Sequence, residues 1–328
     1  MSDPSIQTFC CHKPGIETLS LSIMSEFNST SYNVVCLISS VIGIVGAIYQ
    51  MLPREGTSSQ RWFSLTSMRG RQIVVWLALA DLLASLGVFM RSVVKLNDSV
   101  LMVFDDNETI IFCVIMAAWI EYFYSVTWLW TLFYAVDMWR ALRQKPAQMM
   151  IYHGITWCLP AVLTMTGLSI LYLPNADCHN LGSDSATFLR LLPNYFITYI
   201  PIATVMFANP VLYVLSSNSI HNIVANCLSQ FTRKERAVVD AVRLRFGFIN
   251  LAFYACWLPN LINGVVIWAS WYNPPRLTLL SLWYIMAVMN PLQALFNSIV
   301  YTRSNQRIVF PFSTIDETTP LVTANINN

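Results

Sequence analysis

Residues 246–275 read FGFINLAFYACWLPNLINGVVIWASWYNPP and contain no Asp, Glu, Lys or Arg. A helix needs roughly 20 largely apolar residues to cross the hydrocarbon core of a bilayer, and this stretch is longer than that. Pro259 removes one backbone hydrogen bond, which a membrane helix tolerates where neighbouring helices supply a partner. The stretch therefore predicts a transmembrane helix that packs inside a bundle.

Six further stretches have the same character, and only two of them carry a charged residue, Asp81 in one and Glu121 in the other. The whole chain is 55% hydrophobic and 11% charged, whereas a soluble domain of this size is about 25% charged. We therefore predict an all-α bundle of seven transmembrane helices, in preference to a soluble protein with long core helices. The other predicted spans are 27–52, 72–90, 109–136, 146–176, 191–215 and 277–302.

Lysine and arginine predict the orientation, because they are enriched in cytosolic loops. With the N-terminus on the lumenal side, fourteen of the 19 basic residues lie on the cytosolic side. Three glycosylation sequons, at Asn28, Asn97 and Asn107, then all lie on the lumenal side. The net charge of +2 gives no reason to expect a nucleic-acid partner.

This topology divides the chain into three parts. Residues 1–30 form a lumenal arm, residues 31–302 the seven-helix domain, and residues 303–328 a short cytosolic tail. The arm is polar and has no cleavable signal peptide, so we expect the first helix to direct insertion. No internal repeat of the kind found in transporters is visible.

Several motifs resemble those of rhodopsin-like G-protein-coupled receptors. Helix 2 carries Asp81 in its middle, helix 6 carries F-x-x-C-W-x-P at residues 253–259, and helix 7 carries Asn290-Pro291. The resemblance implies the receptor fold, with a disulfide between Cys113 and Cys178; the pairing of Cys10 and Cys11 stays open.

A further set of short motifs runs through most of the chain. It comprises Thr8-Phe-Cys-Cys11, Trp119-Ile, Tyr124-Ser, Phe133-Tyr-Ala-Val-Asp137, Tyr152-His153, Leu171-Tyr-x-Pro174, Tyr199-x-Pro201, Ala208-Asn-Pro210, Cys256-Trp257-Leu and Met289-Asn290-Pro291. In these motifs the chain resembles the ocular albinism type 1 protein family within that superfamily. The resemblance implies a receptor of melanosomes, late endosomes and lysosomes, and also of the plasma membrane. It also implies heterotrimeric G proteins, arrestin and endosomal sorting adaptors as partners, and a ligand such as L-DOPA, with no cofactor.

The chain also departs from the superfamily pattern. Asp137 stands where such receptors begin their D-R-Y motif, but Met138 and Trp139 follow it. Arg140, three residues on, could pair with Asp137. The tyrosine of the N-P-x-x-Y motif is missing after Asn290-Pro291, where Ala294 stands instead. Efficient coupling to a G protein is therefore in question.

The residues expected to contact the ligand lie in helices 3, 6 and 7. Glu121 is placed about two turns into helix 3, where an acid could pair with the ammonium group of an amine or amino acid in a medium of low dielectric constant. A packing role, with Glu121 bonded to another helix, is the alternative. The other candidates are Tyr124, Trp257, Asn260 and Tyr284, for which a core role is equally compatible with the helical spacing.

A second polar site is predicted where Asp81, Thr127 and Asn290 come together. Their oxygen atoms suit a hard cation, and the resemblance implies sodium. A network of buried water is the alternative. No spacing of Cys and His predicts another metal site.

The cytosolic end carries the residues predicted to contact a G protein and a sorting adaptor. Glu317, Leu321 and Val322 in the tail resemble an acidic dileucine-type sorting signal. The residues predicted to form the G-protein face are Asp137, Arg140, Arg143, Arg243 and Arg245.

Three other functions are weighed against a receptor. A transporter or channel for an amino-acid-like solute is the main alternative, and it predicts repeats and broken helices. A retinal-based light sensor needs a lysine in helix 7, and residues 277–302 contain none. An enzyme is not expected, because the spans contain no group of residues with catalytic spacing.

Overall fold

The computed structural model describes residues 27–52, 61–97, 106–143, 145–172, 184–226, 233–270 and 275–309. Throughout these residues the regular structure is helical, in seven α-helices without a strand. The helices are α1 (Ser29–Met51), α2 (Arg61–Leu96), α3 (Asp106–Leu142), α4 (Met149–Tyr172), α5 (Asp184–Asn226), α6 (Arg233–Ala269) and α7 (Arg276–Val309).

The helices have the length and composition of membrane spans. Six contain, within their described residues, a segment long and apolar enough to cross a bilayer. The remaining helix, α4, has 24 residues and no Asp, Glu, Lys or Arg. Helices satisfy their backbone hydrogen bonds internally, which hydrocarbon requires because it offers no water. The predicted all-α seven-transmembrane fold is confirmed.

Several helices extend beyond the predicted spans, whereas α1 and α4 lie within theirs. α5 continues to Asn226, whereas the sequence predicts its end near Leu215, and α2 begins at Arg61 instead of residue 72. Loss of hydropathy marks the edge of the lipid, but it does not break a helix. Residues 216–226 contain neither Gly nor Pro, so the backbone can continue its local hydrogen bonds outside the membrane.

The helices form a closed ring in chain order, and α3 lies nearest its centre. α1 packs on α2 and α7, α6 packs on α5 and α7, and α3 packs on α2, α4 and α5. One buried cluster surrounds Trp257, and a second surrounds Trp130. Since α3 contacts neighbours on several sides, its residues can face different partners although they lie close in sequence.

A proline in α5 frees a backbone carbonyl that accepts a hydrogen bond from another helix. Pro210 has no N–H, so the carbonyl of Met206, four residues earlier, loses its partner within the helix. The hydroxyl of Tyr254 on α6 donates to that carbonyl oxygen. A buried polar atom created by the proline is thus satisfied, and α5 is tied to α6 at this level.

The same arrangement joins α1 to α7. Pro291 leaves the carbonyl of Ala287 without its helical partner, and Ser39 Oγ donates to that oxygen at 2.7 Å. The two backbones come close at Gly43, where an added Cβ would collide with the Pro291 carbonyl oxygen and lie 3.0 Å from Ser85 Oγ. Small residues allow such close packing between membrane helices.

We expect Gly43→Ala to destabilise the bundle by about 1–3 kcal/mol, because the methyl group must push a backbone away. Gly154→Ala on α4 is the matched control, since an added Cβ there meets no atom within 4 Å. Alanine favours helix by up to about 1 kcal/mol, so the control should be neutral or slightly stabilising. Thermal unfolding in detergent measures both, and equal stability of the two variants would contradict the close approach.

Candidate functional site

Asp81 lies at the centre of the bundle with 2% of its surface exposed. Thr127 Oγ1 on α3 donates to its Oδ1 at 3.1 Å, and Asn297 Nδ2 on α7 donates to its Oδ2 at 3.3 Å. The acid thus joins α2, α3 and α7 through hydrogen bonds to both carboxylate oxygens. This set of oxygen and amide groups is the candidate sodium or water site.

The hydrogen bonds described for Asp81 come from Thr127 and Asn297. Asn290, the predicted third member of this site, forms a reciprocal amide pair with Asn260 on α6. The two N–H···O distances are 2.9 and 3.3 Å. Asn297 takes the predicted place beside Asp81. Seven residues, about two helical turns, separate the two asparagines, so they share a face and the sequence alone could not decide between them.

This register also changes the interpretation of helix 7. Asn297 is followed by Ser298-Ile-Val-Tyr301, so a tyrosine stands four residues after the asparagine that contacts Asp81. The side chain of Tyr301 lies outside the described residues. The sequence contains this signal as N-x-x-x-Y, but Ser298 stands where the superfamily motif has proline, whereas Asn290 is followed by Pro291.

Trp257 is fully buried in the centre of the bundle and links three helices. Its ring centroid lies 5.0 Å from that of Tyr124 and 4.9 Å from that of Trp128, both on α3. Its indole Nε1 donates to Gln293 Oε1 on α7 at 2.5 Å. The side chain is therefore placed to transmit a displacement of α3 to α6 and α7.

Glu121 is also buried, with 2% of its surface exposed. Thr198 Oγ1 on α5 donates to its Oε1 at 2.5 Å. The acid therefore points towards α5, whereas Tyr124, one turn further along α3, packs on Trp257 of α6. The two residues lie one helical turn apart but contact different helices. The contact with Thr198 is compatible with both the ligand role and the packing role.

The remaining two ligand candidates are separated from Glu121. Asn260 is occupied by its amide pair with Asn290. Tyr284 lies on α7, where its hydroxyl donates to the carbonyl of Asn28 at 3.3 Å and its ring contacts Tyr32 of α1. Of the five candidates, Tyr124 and Trp257 thus contact each other and Tyr284 packs against the same buried cluster, whereas Glu121 points to the α3–α5 interface.

At the cytosolic end, Asp137 is buried and accepts a hydrogen bond from the Tyr152 hydroxyl at 3.3 Å. Arg140 Nη2 donates to the Pro146 carbonyl at 3.1 Å, and the Arg143 guanidinium lies 4.3 Å from the ring centroid of Trp139. The side chains of Arg243 and Arg245 lie outside the described residues. For the predicted G-protein face, the structure thus describes the side chains on α3 but not those on α6.

The remaining predictions fall partly outside the described residues. Cys113 is disulfide-bonded, while Cys178, Cys10 and Cys11 lie in undescribed parts of the chain, so the partner stays a prediction. Of the sequon residues, Asn28 caps α1 by accepting from Ser31 N at 2.9 Å. Asn97 is exposed. The side chain of Asn107 and the sorting signal at Glu317, Leu321 and Val322 are not described.

Within the described residues, no group of three or more His, Cys, Asp or Glu side chains could hold a metal ion. The acids Asp81, Glu121 and Asp137 each have a hydroxyl group as a hydrogen-bond partner. Such hydrogen bonds position a buried acid and partly satisfy it. Each of the three acids thus links α3 to a neighbouring helix through a hydrogen bond.

The fold and these motifs define the class of the protein. Seven membrane-length helices in a closed ring, a buried acid on α2, a disulfide at the start of α3 and a buried C-W-x-P tryptophan on α6 give the G-protein-coupled receptor fold. Residues 1–311 match the family model described as ocular albinism type 1 protein. The chain belongs to that family, which confirms the resemblance drawn from the sequence.

Curated relatives agree with this class. The chain is 28% identical to human G-protein coupled receptor 143 over 318 residues, which cover 92% of this chain and 77% of the human protein. It is 26% identical over 164 residues to mouse cadherin EGF LAG seven-pass G-type receptor 1, covering 48% of this chain and 5% of the mouse protein. The second match concerns only a small part of a much larger protein.

Proposed function

We propose that this chain is a receptor that binds a small ligand from the lumenal side and signals to heterotrimeric G proteins in the cytosol. The observation that carries the proposal is the position of Trp257, which contacts α3 through Tyr124 and Trp128 and α7 through Gln293. A ligand that favours one arrangement of these helices shifts the receptor between two states by its difference in affinity for them.

The proposed ligand is an amine or amino acid related to tyrosine, such as L-DOPA, and the proposed location is the membrane of melanosomes, late endosomes or lysosomes. Family membership and the buried acid Glu121 support the ligand class. The sorting signal in the tail supports the location. Arrestin and sorting adaptors are proposed as further partners on the same grounds.

Recruitment of engineered mini-G proteins to the reconstituted receptor tests the signalling function. We expect at least one G-protein class to bind, with an affinity that changes when L-DOPA or tyrosine is added. Absence of binding to every class, with or without these compounds, would contradict the proposal. Uptake of labelled tyrosine into proteoliposomes would favour the transporter alternative instead.

We expect Glu121→Gln to weaken the binding of L-DOPA about 10- to 100-fold, because a hydrogen bond to a charged group contributes roughly 1.5–3 kcal/mol. The comparison ligand is the same catechol acid without its amino group, whose affinity should not change. Calorimetric titration of the purified receptor measures both affinities. An equal loss for both ligands would show that Glu121 acts through packing with Thr198 and not through an ammonium group.

A further inference from the structure

Several buried polar atoms on α5 and α6 have no hydrogen-bond partner among the described residues. Asn209 and Ser216 on α5 are 1% and 2% exposed, and Asn250 on α6 is 8% exposed. Within the described part of the chain, neither amide atom of Asn209 has a partner, nor do Asn250 Oδ1 and Ser216 Oγ. Hydrocarbon offers no substitute for water, so such groups destabilise the arrangement in which they occur.

The contacts between α5 and α6 fix which residues lie at the same level. Tyr254 donates to the carbonyl of Met206, and Gly247 lies against the ring of Tyr213. Because the two helices run antiparallel, both contacts define one register. That register places Asn250 at the level of Asn209 and Pro210. The Asn209 amide and the Asn250 amide, whose Oδ1 has no partner, therefore lie at matching depth on neighbouring helices.

The same molecule shows what two such amides can form. Asn260 and Asn290, on α6 and α7, make a reciprocal pair in which each amide donates to the other. On α5 and α6, by contrast, the described contact at this depth is the bond from Tyr254 to the carbonyl freed by Pro210. A shift of α6 relative to α5 would exchange that bond for an amide pair.

We propose that Asn209 and Asn250 form a side-chain pair in a second state of the receptor, and that this pair replaces the bond between Tyr254 and Met206. The described structure is then the resting state, in which the two amides are held apart. The inference rests on the proposed function only in assigning the second state to the receptor bound to a G protein. The part of the inference that concerns the resting state depends on the described contacts alone.

Thermal unfolding of the full-length receptor tests the resting state. Asn209→Leu removes an unsatisfied amide at similar volume, so we expect the melting temperature to rise by about 2–4 °C. Asn250→Leu should act in the same direction. Asn218→Leu, at an exposed position on α5, is the matched control and should leave the melting temperature unchanged. A fall or no change for Asn209→Leu would overturn the inference.

Cysteine cross-linking tests the second state in the full chain. The pair Asn209→Cys and Asn250→Cys should form a disulfide on mild oxidation at least about fivefold faster with a mini-G protein bound, because a disulfide requires Cβ atoms within roughly 4.5 Å. The control is the pair Ser216→Cys and Asn250→Cys, whose positions differ in depth by about two helical turns. Its rate of disulfide formation should not change when a mini-G protein binds.

Equal or slower cross-linking with the mini-G protein bound would overturn the assignment of the pair to the second state. If the wild-type receptor recruits no mini-G protein, the proposed function fails. The melting temperature of Asn209→Leu still decides whether the amide is unsatisfied at rest. The two failures are thus distinguishable.

Discussion

When Cys113 is replaced by serine, most of the protein molecules are expected not to fold correctly at 37 °C. Cys113 stands near the start of α3 and is disulfide-bonded, so its replacement removes a covalent link between α3 and another part of the chain. Removal of a native disulfide costs about 2–5 kcal/mol, a large part of the stability of a single domain. Cell-surface or organellar yield, together with the melting temperature of the purified protein, measures the loss.

Comparison of the cysteine variants identifies the partner. Cys178→Ser should match Cys113→Ser, and the double variant should be no worse than either, because one bond is lost in all three. Cys158→Ser is the control, since Cys158 is free and exposed. Wild-type behaviour of Cys178→Ser would exclude the predicted pairing and point to Cys10 or Cys11.

The amide pair between α6 and α7 gives the second large effect. Asn260→Leu and Asn290→Leu each leave one buried amide without its reciprocal partner. A buried hydrogen bond contributes about 0.5–1.5 kcal/mol net, and each single variant loses both bonds of the pair, so we expect each to unfold at a lower temperature.

The double variant Asn260→Leu/Asn290→Leu should recover part of the lost stability, because no amide is then left alone. Coupling between polar side chains in membrane helices is about 0.6–1.7 kcal/mol. Thr166→Val, which changes an exposed threonine bonded only to its own helix at Val162, is the control. Strictly additive losses in the double variant would show that the two amides do not stabilise each other.

The number of helices follows from the sequence because hydrocarbon excludes charge. Uninterrupted runs without Asp, Glu, Lys or Arg locate each span. The ends are less predictable, because charge and polarity report where lipid stops and not where hydrogen bonding stops. α5 shows this difference: it becomes polar beyond Leu215 but continues to Asn226.

The candidate site is less predictable than the fold because helical spacing gives a face but not a neighbour. Glu121 and Tyr124 lie one turn apart, yet α3 is surrounded by other helices, so one residue faces α5 and the other α6. Likewise, Asn290 and Asn297 share a face of α7. Only the vertical register of α7 against α2 and α6 determines that Asn297 contacts Asp81.

The contacts at prolines were also missed from the sequence, although a signal existed. Each proline predicts a freed carbonyl four residues earlier, and at Met206 and Ala287 that carbonyl accepts from a hydroxyl on another helix. In both cases the sequence indicates which carbonyl oxygen is the acceptor. The donors, Tyr254 and Ser39, lie far from these carbonyls in sequence and are identified only from the packing of the helices.

The proposed receptor requires one orientation of the seven helices in the membrane, and glycan mapping tests that orientation most directly. With Asn28, Asn97 and Asn107 all changed to glutamine, the protein should carry no N-linked glycan, whereas the wild type should lose mass on glycan removal. Gln230→Asn in that background creates a sequon with Thr232 in the loop between α5 and α6, and we expect it to stay unmodified. A glycan at residue 230 would place that loop in the lumen and contradict the proposed receptor topology.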